Sequence, residues 1–282
     1  MTSSRAGADQ RVRPRVRLGA VGYLNARPLV YGLDARRRFD VRFDTPSECA
    51  RLLHAHDIDV GLIPSIEYLR GPEPYVLVPG PAVVSRGPVA SVALYSARDA
   101  RDIRTVAMDS SSRTSVALVT VLLQREFGVR PTAVSMPPDL DAMLAVADAA
   151  LIIGDVALFL TSQSAIQKLD LGELWFRSTG LPFVYAFWAG WPDAVTPDDV
   201  AALQCARDEG VGHSADVARA YYPDDPAREA VARRYLRDNI RYVLGDEELE
   251  GLRAFYRYAA ELDLASYDGT LRFYDAEHRQ GR

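Results

Sequence analysis

The chain has 282 residues, of which 48% are hydrophobic and 25% charged, as is usual for a globular protein in water. Its formal net charge of -5 excludes a general basic surface for nucleic acid. Two distant cysteines, Cys49 and Cys205, provide neither a disulfide framework nor a zinc motif, and no apolar run reaches the ~18 residues that a membrane helix needs. Residues 1–14 contain arginines but no apolar segment, so we expect a disordered tail rather than a secretory signal, and a cytoplasmic protein.

An alternating run over residues 16–21 predicts the first strand. Pro28 fits the first position of the following helix, because its missing N–H needs no partner there. Tyr23, Leu24 and Asn25 are therefore predicted on a strand-to-helix loop, at the end of the strand where open α/β sheets bind ligands. Asn25 offers an amide donor and acceptor that do not titrate, although a plain turn suits Asn equally well.

The next part of the chain presents hydroxyl groups after predicted strands. Strands are predicted at residues 39–43, 58–63 and 89–95. Ser47 is predicted to cap a helix after the first of these, and Ser65 a short helix after the second. Ser85 precedes the third strand. His54 and His56 do not share a helix face, and we expect both to face solvent.

A second unit alternates strands with helices. Strands are predicted at residues 105–108, 132–136 and 149–153, with helices at residues 113–127 and 139–146 between them. This alternation implies parallel pairing with right-handed crossovers. Residues 181–188 are apolar and aromatic throughout, which predicts a strand buried on both faces. From Thr196 onward the pattern is helical, so we expect the tail to pack back on the first lobe.

The start of the 113–127 helix is the strongest local indication of a ligand site. Unpaired backbone N–H groups at a helix start attract anions, and the helix dipole adds to this attraction. Ser110, Ser111, Ser112 and Thr114 add hydroxyl donors. Arg113 is disfavoured by the dipole there, so it either holds a carboxylate or points into solvent. Ordinary helix capping explains the same residues, and the spacing is not that of a phosphate-binding P-loop.

Gly154 and Asp155 follow a buried strand in the same way. Glycine permits close approach of a ligand to the backbone, and Asp155 accepts either from a substrate hydroxyl or from the next helix as its cap. The sequence shows no metal-ligand cluster, no dinucleotide fingerprint, no nucleophile elbow and no histidine on a predicted ligand loop. We therefore expect no cofactor and no metal, and a small anion as the ligand.

Five motifs in order carry a family resemblance: residues 21–32, 59–68, 109–115, 152–155 and 180–186. From about residue 16 to 262 the chain resembles the chorismate dehydratases of the futalosine route to menaquinone. The resemblance implies an α/β, two-lobed type II periplasmic-binding-protein-like fold with a helical C-terminal tail packing back on lobe one. Lobe one would then comprise residues 15–90 and 189–282, and lobe two residues 91–188, with hinges near Val89 and Ala189 and a ligand cleft between them.

The resemblance also implies the reaction, which is loss of water from chorismate to give 3-[(1-carboxyvinyl)oxy]benzoate. Asn25 is the expected catalytic residue. It cannot act as a base, so it would hold the enolpyruvyl carboxylate of the substrate, which takes the ring proton. Ser85 would help Asn25 to orient the substrate, and Asp155 is the alternative base. The expected substrate-binding residues are Tyr23, Leu24, Ser65, Ser85, Ser110, Ser111, Arg113, Thr114, Gly154 and Asp155.

Two alternatives remain open from the sequence. One is the dihydroxynaphthoate synthase of the same pathway, which cleaves a cyclised futalosine. The order of residues 23–28, the run at residues 64–68 and the lack of a loop histidine favour the dehydratase over it. The other is a solute receptor or sensor that binds a small anion without turnover. We expect neither nucleic acid nor membrane as a partner, and the sequence does not indicate an oligomeric state.

Overall fold

A computed structural model describes residues 14–161 and 165–275 of the chain. The predicted disordered tail lies outside these described residues, apart from Pro14. Among the helices that are described, none is both long and apolar enough to cross a bilayer.

The strands and helices follow each other along the chain in the alternation predicted for an α/β protein. The strands are β1 (Val16–Val21), β2 (Phe39–Asp44), β3 (Val60–Pro64), β4 (Val76–Ser85), β5 (Val92–Ser96), β6 (Thr105–Asp109), β7 (Thr132–Met136), β8 (Ala149–Ile153), β9 (Gln167–Asp170), β10 (Phe183–Gly190) and β11 (Arg241–Val243). The α-helices are α1 (Pro46–His54), α2 (Thr114–Phe127), α3 (Leu140–Val146), α4 (Gly154–Phe159), α5 (Leu171–Thr179), α6 (Pro197–Gly212), α7 (Ser214–Tyr221), α8 (Pro226–Asp238) and α9 (Asp246–Glu261). Short 3₁₀ helices span Leu24–Val30, Ser65–Leu69 and Ala100–Asp102.

Two sheets form the centres of two lobes. The first has the strand order β11-β4-β10-β3-β1-β2, and the second has the order β7-β6-β8-β5-β9. In the first, β1 pairs in parallel with β2 and β3, and β10 runs antiparallel between β3 and β4. In the second, β6 pairs in parallel with β7 and β8, as the β-α-β-α-β alternation predicts. All residues of β3, β5, β8 and β10 are buried, which is typical of strands covered on both faces.

The pairing of the strands places one boundary between the lobes at a different residue from the one predicted. Residues 183–188 were assigned to lobe two, but β10 is hydrogen-bonded between β3 and β4 and so belongs to the first sheet. The chain therefore returns to lobe one between α5 and β10, before Phe183 rather than near Ala189. An aromatic run looks the same in either sheet, and only its partner strands decide where it lies.

The C-terminal segment packs on lobe one as predicted, but it is not wholly helical. The predicted helix over residues 227–243 ends at Asp238, and β11 adds an edge strand to the first sheet beside β4. Helix α6 lies across the first 3₁₀ helix, with Gly210 directly against the backbone of Pro28. A Cβ atom at residue 210 would lie 2.1 Å from the carbonyl oxygen of Pro28, so only glycine allows this approach.

Three local predictions were wrong. The first helix is a 3₁₀ helix that begins at Leu24, so Pro28 lies inside it rather than at its start. Thr45, not Ser47, caps α1 by accepting from the N–H of residue 48. His54 does not face solvent alone, because its Nε2 lies 3.0 Å from the carboxylate of the buried Glu67.

Candidate functional site

A cavity lies between the two lobes. It encloses about 550 Å³ of space between the lobes, part of it open to solvent. The first lobe contributes the 3₁₀ helix after β1 and residues of β3, β4 and β10, and the second lobe contributes the starts of α2 and α4. The sequence-predicted residues that line the cavity are Tyr23, Asn25, Ser112, Arg113, Thr114 and Gly154.

Asn25 projects from the first turn of the 3₁₀ helix on the first-lobe side. Its side chain lies beside the hydroxyl of Tyr235, a buried residue of α8. That hydroxyl is 2.7 Å from the Oγ of Ser91. Burial raises the pKa of Tyr235, so its hydroxyl stays protonated at neutral pH. The amide of Asn25 therefore lies next to a neutral hydroxyl group.

A chain of hydrogen bonds joins the lobes at the edge of the cavity. The Tyr23 hydroxyl donates to the Oγ of Ser111 over 2.9 Å, and Ser111 donates to the buried Asp109 carboxylate through both its Oγ (2.7 Å) and its N–H (2.9 Å). The groups of Ser111 that were expected to bind the substrate thus donate to Asp109 instead. Ser110 is exposed and does not line the cavity.

The start of α2 carries the remaining donors of the second lobe. Arg113 occupies the N-cap position without a side-chain cap. The hydroxyl of Thr114 accepts the N–H of Ile66 over 3.2 Å and lies 3.4 Å from the Oγ of Ser65. Ser65 does not cap its own helix, because its Oγ donates instead to the carbonyl oxygen of Val184 over 2.8 Å. Thr114, from the opposite lobe, provides the missing cap.

Gly154 permits the closest approach between the lobes near Tyr23. Its φ angle is +65°, and a Cβ atom placed on it would lie 3.0 Å from two carbons of the Tyr23 ring. Its N–H donates to the carbonyl oxygen of Ser91 over 2.8 Å. The glycine therefore leaves room for the Tyr23 ring of the first lobe. The close approach that the sequence predicted for a ligand is made in the structure by this protein side chain.

Asp155 makes contacts with the first lobe through both carboxylate oxygens. Oδ1 accepts the N–H of Leu24 over 3.2 Å, and Oδ2 lies 2.5 Å from the hydroxyl of Tyr221 in α7. Burial raises the pKa of Asp155, and the two donors together with the charge of Arg27 partly oppose that rise. The side chain of Leu24 is buried, so Leu24 contributes through its N–H. Asp155 does not cap α4, whose N-cap has no side-chain partner.

Ser85 reaches the cavity indirectly. It is buried, and its Oγ lies 3.0 Å from the hydroxyl of Tyr185, which lines the cavity from β10. Burial raises the pKa of Tyr185 well above its ordinary value, so this pair presents a neutral hydroxyl group at neutral pH.

The cavity is electrostatically simple. Among the described residues that line it, Arg113 alone carries a charge, and none is a histidine or a carboxylate. The described part of the chain also contains no group of three or more His, Cys, Asp or Glu side chains arranged to hold a metal ion. The arrangement offers one cation, several hydroxyls and one amide, which suits a small anionic ligand.

Sequence reasoning missed Tyr185 and Tyr221. Tyr185 carries a hydroxyl within an otherwise apolar strand. Because a buried tyrosine hydroxyl usually needs a hydrogen-bond partner, its position in the sequence could have indicated a polar site. Tyr221 had none, because nothing near it in the sequence indicates contact with residues 66 and 199 positions away.

The two sheets and the cavity between them define the class of two-lobed, periplasmic-binding-protein-like folds. The chain superimposes on the periplasmic aliphatic sulphonate binding protein SsuA of Escherichia coli with a TM-score of 0.68 and 15% identity, covering 96% of this chain and 95% of that one. It also superimposes on protein AF1704 of Archaeoglobus fulgidus with a TM-score of 0.73 and 15% identity, covering 89% and 98%. These similarities confirm the predicted periplasmic-binding-protein-like fold.

Within this class, the chain belongs to the menaquinone-biosynthesis family, whose model matches residues 16–261. It is also similar to a chorismate dehydratase from Thermus thermophilus, at 33% identity over 261 residues, covering 86% of this chain and 94% of the relative. The resemblance deduced from the five sequence motifs is confirmed.

Proposed function

We propose that this chain is a hydro-lyase that converts chorismate to 3-[(1-carboxyvinyl)oxy]benzoate and water. The observation that carries the proposal is that Asn25 and the Arg113 helix start line one interlobe cavity whose described lining contains no other charged group. A substrate with two carboxylates needs a cation at one end and neutral donors at the other, and this cavity offers both. Membership of the menaquinone-biosynthesis family and the similarity to a chorismate dehydratase support it.

Each part of the cavity has a distinct proposed role. Arg113 and the first-turn N–H groups of α2 hold one carboxylate, where the helix dipole adds to the attraction. Asn25 holds the enolpyruvyl group through its amide. Tyr185, supported by Ser85, donates a hydrogen bond to the ring hydroxyl that leaves as water. We propose Tyr23 and Gly154 as the wall that closes over the ring.

The reaction breaks one ring C–H bond and one ring C–O bond, and the electron pair of the C–H bond completes the aromatic ring. The amide of Asn25 cannot take the proton at neutral pH. We propose that the enolpyruvyl carboxylate, held in place by Asn25, takes this proton and passes it to the leaving hydroxyl, which departs as water. Because aromatisation drives the reaction, the protein mainly supplies position and charge stabilisation.

The direct test is to mix the purified protein with chorismate and follow the aromatic product by ultraviolet absorbance and chromatography. We expect the wild-type protein to form it, and Asn25→Ala to lower kcat about 100-fold or more, the usual cost of removing one placed donor. Ser110→Ala, at an exposed position outside the cavity, is the matched control. Equal rates for Asn25→Ala and wild type would remove the proposed role of Asn25.

Parallel incubations separate the alternatives. Consumption of cyclised futalosine in place of chorismate would identify the dihydroxynaphthoate synthase, and chorismate that binds but is recovered unchanged would identify a binding protein. A cytoplasmic site of action is proposed along with the biosynthetic reaction.

A further inference from the structure

The contact between Asp155 and Tyr221 joins three segments that are far apart in the sequence. Asp155 lies at the start of α4 in the second lobe, and Tyr221 is the last residue of α7 in the C-terminal segment. The Tyr221 hydroxyl lies 2.5 Å from Asp155 Oδ2 and 3.0 Å from the carbonyl oxygen of Gly22. The second oxygen of Asp155 accepts the N–H of Leu24, next to Asn25. The Asp155 carboxylate thus connects the second lobe to Leu24 directly and to Tyr221, whose hydroxyl also lies against the carbonyl oxygen of Gly22.

Tyr221 is itself held in place by its surroundings. The guanidinium of Arg27 lies between two rings, 4.3 Å from the centroid of Phe43 and 5.2 Å from that of Tyr221. The ring of Tyr222 packs edge-on against Tyr221, with centroids 4.9 Å apart. These contacts with Arg27 and Tyr222 restrain the ring of Tyr221 and thereby the direction of its hydroxyl.

We propose that Asp155 and Tyr221 are positioning residues that latch the two lobes together and fix the Leu24–Asn25 segment, and that Asp155 is not the base of the reaction. This inference rests on the proposed function for its kinetic consequences. Its structural consequence, a closed interlobe distance without substrate, is independent of that function.

The number of hydrogen bonds that Tyr221 can donate lets the Asp155→Asn variant distinguish a latch from a base. A hydroxyl has one hydrogen, so Tyr221 cannot donate to Gly22 and to Asp155 at the same time. An asparagine at residue 155 would accept the Leu24 N–H with its oxygen and donate to Tyr221 with its nitrogen. Tyr221 would then donate to Gly22. The latch survives this change, whereas a base at residue 155 would be lost.

The kinetic test compares three variants on chorismate. Asp155→Ala removes both latch contacts, and we expect kcat/KM to fall at least 50-fold, with kcat falling as well because Asn25 is released. The kcat/KM of Asp155→Asn should be at least tenfold higher than that of Asp155→Ala. Tyr221→Phe should raise KM about 2- to 10-fold, the effect of one net hydrogen bond, with kcat changed less than twofold because substrate refills the closed state. Tyr222→Phe is the matched control and should match wild type.

The structural test needs no turnover. Spin labels at Ala145→Cys on α3 and Ala201→Cys on α6, both exposed and in opposite lobes, report the interlobe distance in a Cys205→Ser background. Without substrate, Asp155→Ala and Tyr221→Phe should lengthen the interlobe distances, and Asp155→Asn should not.

If Tyr221→Phe keeps the wild-type distances, the proposed latch is wrong whatever the activity of the variant. If Asp155→Asn keeps the wild-type distances but is as inactive as Asp155→Ala, Asp155 is a base and the proposal is overturned. If wild type is inactive on chorismate but the distances shift as expected, only the proposed function fails.

Discussion

Replacing Gly154 by alanine separates backbone strain from contact between the lobes. The residue has a φ angle of +65°, and its added Cβ would lie 3.0 Å from the Tyr23 ring. An L-residue in this left-handed region costs about 1–2 kcal/mol. The ring must also move, which loosens the 2.9 Å hydrogen bond from Tyr23 to Ser111. Loss of one such bond costs about 0.5–1.5 kcal/mol net, or about 2- to 12-fold in apparent affinity.

Gly128 provides a matched control. It ends α2 with a φ angle of +70°, and a Cβ atom added there has no atom within 4 Å. Gly128→Ala therefore bears the same backbone strain without any contact to the other lobe. We expect this strain to lower the unfolding temperature of each variant by about 2–8 °C, given roughly 2–4 °C per kcal/mol for a chain of this size, and the lost Tyr23 contact to lower that of Gly154→Ala further.

The two variants share the backbone strain and should differ in the contact between the lobes. Thermal unfolding followed by circular dichroism measures the shared strain, and calorimetric titration with chorismate measures the contact between the lobes. We expect Gly154→Ala alone to weaken binding, by about 2- to 12-fold. Equal affinities for Gly154→Ala and Gly128→Ala would show that the Tyr23 contact does not hold the lobes in the binding state.

Three further predictions concern the groups around the cavity. Thr114→Val leaves a buried main-chain N–H without its cap and should lower the free energy of unfolding by about 1–3 kcal/mol in urea titrations, whereas Thr114→Ser should restore most of it; equal losses would contradict the capping role. Gly172→Ala places a Cβ 2.7 Å from the Tyr185 hydroxyl and should cost about 1–3 kcal/mol, while Gly212→Ala, with no atom within 4 Å of its Cβ, should not. Burial opposes ionisation of Glu67, but hydrogen bonds and nearby positive charge outweigh it and lower its pKa below the ordinary 4.5. Its ionised form therefore stabilises the fold fully above that pH and loses this effect as the pH falls through the lowered value, so the stability gap between wild type and Glu67→Gln should be widest at neutral pH and shrink in acid; a gap independent of pH would refute this.

Local pattern was sufficient for most elements of the fold. The alternating and buried runs gave β1, β2 and β6 to β8 nearly residue for residue, because the period of the apolar side chains reflects which faces are covered. The helix start at residues 113–114 was visible for the same reason. Sequence motifs also identified the family, which the comparisons confirm.

Pairing between distant segments was decided only by the tertiary structure. The aromatic run of β10 fits either sheet by its composition, and its hydrogen bonds to β3 and β4 place it in the first. Ser111 and Asp155 were visible as polar residues at strand ends, but their actual partners, Tyr23 and Tyr221, come from the other lobe. A sequence shows which groups a chain can offer. Which of those groups bind each other and which face the ligand depends on contacts between residues far apart in the chain, and local periodicity carries no information about those.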